Sequence, residues 1–113
     1  MGLFKKRNDY EDASENLNSK PISYAKDRII MEQIRMDDDE HACSLVDKLK
    51  EGSPLVLNFE KLQLMTVNKL LAFFSGACYA LDGNVIKINT YTYLFARKVD
   101  FLDGTLNNFI ENI

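Results

Sequence analysis

Apolar positions are thinly scattered through residues 8–21 (NDYEDASENLNSKP), and a periodic pattern begins only near residue 26. RIIMEQI, residues 28–34, reads as a first strand. The acidic run Asp37, Asp38, Asp39 and Glu40 follows, and then Ala42, Leu45, Val46 and Leu49 recur at spacings of three and four, the period of one helix face. Carboxylates at a helix start accept hydrogen bonds from free N–H groups and favour the positive end of the dipole, so the acidic run is expected to open this helix rather than hold a metal. Gly52 and Pro54 end it. PLVLNF, residues 54–59, is a short apolar run between breakers, which predicts a buried central strand. The strand, helix, strand order then implies a parallel crossover.

A second helix is predicted over residues 64–81, followed by an Asp82-Gly83 turn. NVIKIN (84–89) and TYLFA (92–96) alternate as two strands of a hairpin with its turn near Asn89-Thr90. The tail KVDFLDGTLNNFIENI is expected to add a short edge strand before Asp103-Gly104 and a closing helical turn with Leu106, Phe109 and Ile110. The expected fold is therefore α/β, a dimeric two-layer sandwich of two helices on a four- to five-stranded mixed sheet. Residues 8–26 read as a flexible linker, because so polar a segment buries too little apolar surface to offset chain entropy, and residues 27–113 as the core domain.

The second helix carries more apolar surface than one sheet requires. Val67, Leu70, Leu71, Phe74, Cys78 and Leu81 form one face, enough to cover the sheet, while Phe73, Gly76, Ala77 and Ala80 make a second stripe. The stretch LLAFFSGACYAL is far too short to span a bilayer, which needs about 20 residues. Gly76 and Ala80, one turn apart, admit close approach of another backbone. That neighbour is either the first helix or a second subunit, and the small size of the domain favours the subunit.

Composition narrows the function. A net charge of −3 offers nothing to attract a phosphate backbone, so nucleic acid is not an expected partner. Without a run long enough for a signal peptide or a spanning helix, the chain is expected in the cytoplasm, with reduced thiols. Cys43, Cys78 and the single His41 lack metal-ligand spacing, and the five glycines are scattered singly rather than gathered in a phosphate loop. No catalytic residue, metal or cofactor is expected.

The run NKLLAFFSGACYALDGNVIKINTYTYLFARKVDFLDGTL, residues 68–106, resembles the core of the SepF family of bacterial cell-division proteins. That family's pattern is a helix ending in D-F-L-x-G, a Y/F-A-hydrophobic-x-G turn, two strands and a closing D-V-x-x-x-G-T stretch. LVLNF, residues 55–59, is similar to the family's V-V-V-N-L strand, and the resemblance extends over roughly residues 26–110. Lys69 and Ala72 depart from the family's R-x-x-D-F segment, and Ala96-Arg97-Lys98 lacks the usual proline.

The resemblance implies a non-enzymatic adaptor that dimerises and polymerises further, binds the C-terminal tail of the tubulin-like protein FtsZ, and tethers it to the inner face of the plasma membrane at the division site. It places the tail-binding lysine and aromatic on Lys87 and Tyr93, and the self-association glycine on Gly76. MGLFKKR, residues 1–7, resembles a shortened form of the family's membrane-targeting segment, with Leu3 and Phe4 beside Lys5, Lys6 and Arg7. Lys6 stands where a myristoylation motif requires Ser or Thr. The alternative is a STAS-like regulatory binding module, which requires a phosphorylatable serine in a D-S-S-G-like setting at a helix start; this chain offers Ser75-Gly76.

Overall fold

The computed structural model describes residues 23–113. Leu55, Val56 and Leu57 are all buried, so strand β2 (Leu55–Asn58) is apolar on both faces and needs cover on both. It takes the interior of a four-stranded sheet with order β1-β2-β4-β3, between β1 (Ile30–Gln33) and β4 (Thr92–Arg97), with β3 (Gly83–Asn89) outermost. β1 runs parallel to β2, as the crossover predicted, and the other two pairings are antiparallel.

Alternation along the strands divides the core in two. Leu55 opposes Phe95 and Leu57 opposes Tyr93 on the face covered by helices α1 (Asp39–Lys50) and α2 (Leu64–Ala80). Ala42, Leu45 and Leu49 from α1 and Val67, Leu70, Phe74 and Cys78 from α2 fill this layer, with Leu71 and Leu81 packed at its margin. α1 opens as expected: Asp38 caps it by accepting from the His41 N–H at 3.2 Å, and Asp39 and Glu40 lie in its first turn.

On the other face Val56 opposes Leu94, and with Ala96 they form a second core. A short 3₁₀ turn (Ala25–Arg28) and a third helix, α3 (Thr105–Glu111), cover it with Ala25, Leu106, Phe109 and Ile110. This corrects the expected architecture. Three helices are present among the described residues rather than two, and the second face of the sheet carries a partial third layer. The closing helical turn is a full α-helix, because Val56 and Leu94 need cover on the second face of the sheet.

The expected fifth strand is also replaced. Residues Lys98–Phe101 form a second 3₁₀ turn, which carries the Asp100 side chain inward to 5% exposure. Asp100 accepts from Arg28 at 2.9 Å and from Arg97 at 3.0 and 3.3 Å. Arg28 also donates to the Gly52 carbonyl at 2.8 Å, and Arg97 to the Lys50 carbonyl at 3.3 Å. One carboxylate thus ties both 3₁₀ turns, the end of β4 and the end of α1 together. Where α2 gives way to β3, the chains approach so closely that a Cβ on Gly83 would lie 2.6 Å from both the Ala96 oxygen and the Cys78 sulfur.

Candidate functional site

The β3–β4 hairpin joins its strands through the turn residues Thr90 and Tyr91, one position later than the pattern implied, and β3 bulges between Lys87 and Asn89. The register sets Lys87 directly opposite Tyr93. Both lie on the sheet face that carries α1 and α2, because Tyr93 shares the alternation of Phe95 and Leu57. The Tyr93 ring is half-buried, 6.2 Å from Phe59 and 6.5 Å from Phe95, whereas Lys87 is exposed on the outermost strand. The Tyr93 ring is thus backed by Phe59, with the exposed Lys87 opposite it on the outermost strand. Such a pair suits an extended peptide carrying a carboxylate and an apolar side chain.

The residues expected in self-association separate on the second helix. Gly76 and Ala80 are exposed, with open space where a Cβ on Gly76 would stand. Ala77 is half-buried, and Phe73 is 40% exposed with its ring 5.3 Å from Phe74. Phe73 also borders a groove of about 320 Å³ between the two long helices, lined by Asp39, Ala42, Cys43, Lys69 and Leu70. Phe73 thus faces α1, while Gly76 and Ala80 are open to solvent. At the groove Lys69 donates to Asp37 at 2.6 Å, a contact that raises the lysine pKa. The departure from the family pattern at this position thus leaves a cation that is paired within the chain.

The first helix was one of the two neighbours anticipated for the second stripe of α2, but no local pattern joined its Asp39, Ala42 and Cys43 to Phe73 in one groove. Leu3, Phe4, Lys5, Lys6 and Arg7 lie outside the described residues. No helix among the described residues is long and apolar enough to cross a membrane. Nor do any three His, Cys, Asp or Glu side chains among them stand where they would hold a metal ion. Cys43 is exposed, while burial pushes the Cys78 thiol pKa up. Ser75 sits in the middle of α2 rather than at a helix start, which removes the setting a STAS-like phosphoserine needs.

The chain matches the family model described as Cell division protein SepF over residues 29–100. It is 37% identical over 65 residues to the cell division protein SepF of Carboxydothermus hydrogenoformans, covering 58% of this chain and 47% of that protein. To the cell division protein SepF of Alkaliphilus oremlandii it is 32% identical over 73 residues, 65% of this chain and 50% of the other. The corresponding figures for the cell division protein SepF of Ruminiclostridium cellulolyticum are 29% over 84 residues, 74% and 52%. The chain spans about half the length of the curated relatives it matches.

Proposed function

Since the chain belongs to the SepF family, we propose that it serves in bacterial cell division as a non-enzymatic adaptor, binding the C-terminal tail of FtsZ and tethering FtsZ filaments to the cytoplasmic membrane during septum assembly. The observation that carries this reading is the cross-strand pair of Lys87 and Tyr93. The ammonium attracts a carboxylate of the tail, and the ring, held by Phe59, receives an apolar side chain. Self-association uses the exposed small residues Gly76 and Ala80 of α2, flanked by Phe73 and the half-buried Ala77, and joins copies into dimers and longer polymers. Residues 1–7 supply the membrane contact at the division site, a marginal contact for one copy and a firm one for many.

The test is titration of the folded protein, followed by NMR, with a peptide copying the last fifteen or so residues of the organism's own FtsZ. Binding is expected to be weak, because a short peptide loses conformational freedom on ordering. Lys87→Glu reduces the affinity, and Tyr93→Ala reduces it further without unfolding the domain. Peak movements confined to regions away from β3 and β4 would show that the tail binds elsewhere.

A further inference from the structure

Building on the reading that residues 1–7 meet a lipid surface, we propose that the folded domain carries a second membrane contact, the tip formed by Val99 and Leu102. Side chains three apart in a 3₁₀ turn stand over one another, so these two project from one side of the Lys98–Phe101 turn and its following residue. They are 55% and 81% exposed, while Asp100 and Phe101 between them are drawn into the fold. The tip is therefore rigid as well as apolar, because the buried carboxylate beneath it is clamped by two guanidiniums.

A projecting aliphatic pair suits the headgroup boundary of a bilayer, and its surroundings fit the same partner. Lys98 belongs to the turn itself, while Lys26 and Lys50 stand exposed on segments hydrogen-bonded to this end of the molecule, through Thr105 and Arg97 respectively. Lysine stems lie along hydrocarbon while their ammonium groups reach phosphates. Tyr79, an exposed residue of a type enriched at membrane interfaces, joins this end because its carbonyl accepts from Asp82, whose own carbonyl accepts from Lys98. The chain also enters the domain here: Arg28, which holds Asp100, donates to the Ser23 carbonyl at 3.0 Å. Ser23, the first described residue, thus stands at the same end of the domain as the tip.

Asp27, Glu51, Asp82 and Asp103 offset the lysines; Asp82 lies 3.3 Å from Lys98, and Asp103 is occupied by Thr105 and the Ala25 N–H. The tip therefore acts through hydrocarbon. Its contribution is insensitive to salt, unlike that of the basic residues 5–7.

The chain contains no tryptophan, so Leu102→Trp introduces a single indole at the tip. In the full chain, mixed phosphatidylglycerol–phosphatidylcholine vesicles are expected to shift the emission of that indole to the blue, and brominated acyl chains to quench it. Met65→Trp, also at an exposed position but at the far end of α2, about 22 Å along the helix from Ala80, keeps its solvent emission. Leu102→Asn, which removes the hydrocarbon without adding a charge, weakens cosedimentation of the full chain about tenfold, equally at low and high salt. Cosedimentation with an unshifted indole at position 102 overturns the inference and leaves residues 1–7 as the anchor. Failure of the unmutated full chain to cosediment overturns the membrane reading and the inference with it.

Discussion

Asp100→Asn removes one charge and nearly no volume from the point where four segments meet. The carboxylate is 5% exposed and receives three N–H donors from Arg28 and Arg97, two residues that also hold the Gly52 and Lys50 carbonyls. Removing one partner of a buried ion pair costs about 3–5 kcal/mol, since the remaining charge stays desolvated. Each guanidinium is 30% exposed here, so water recovers part of that loss, and about 2–4 kcal/mol is expected. In a domain of this size each kcal/mol moves Tm by about 4–8 °C, which places the fall at about 8–32 °C.

Urea unfolding followed by circular dichroism measures the first quantity and a thermal scan the second. A double-mutant cycle with Arg28→Ala separates the ion pair from the packing around it. The second substitution costs less in the Asp100→Asn background than alone, because the charge it removes is already uncompensated. A loss below about 1 kcal/mol, the range of an exposed pair, would refute the argument that burial gives this carboxylate its weight.

Gly83→Ala is expected to lower stability by about 1–3 kcal/mol in the same urea assay, because its Cβ meets Cys78 and Ala96 at 2.6 Å, where a strand and a helix end must both shift. Gly76→Lys should leave the fold intact and favour the helix by about 0.5–1 kcal/mol, since the position is open, while light scattering reports looser self-association; an unmutated chain that is monomeric at micromolar concentration would sink the role given to the α2 stripe. Hydrogen bonds from the Thr105 N–H and hydroxyl and the Ala25 N–H hold the Asp103 carboxyl below its ordinary value of 3.8. Its contribution is therefore complete above that value and disappears as pH falls through the lower folded one, so Asp103→Asn should destabilise at neutral pH and lose its penalty in acid, as read from urea midpoints across pH.

Local periodicity was sufficient to place most of the elements. The three-and-four spacing of Ala42, Leu45 and Leu49, and of Val67, Leu70, Phe74 and Cys78, describes the two faces that cover the sheet. LVLN, apolar between breakers, lies within the sheet. These signals are legible because helix and strand periods are properties of a few neighbouring residues. The family resemblance drew on the same local order of short motifs. Lys87 and Tyr93 could be singled out in that way, yet only the hairpin register set them directly opposite one another.

Tertiary structure decided what depends on partners distant in sequence. Cover for Val56 and Leu94 comes from Ala25 and Leu106, at opposite ends of the described chain, so a third layer could not be read from any window around β2. The tail residues 98–101 lack the pattern of a helix face, and their turn is fixed by Asp100 reaching Arg28, 72 positions away. The same contact turns Val99 and Leu102 outward. An apolar residue in sequence carries no mark of which side of the chain will face water; here a buried carboxylate and its two arginines make that choice.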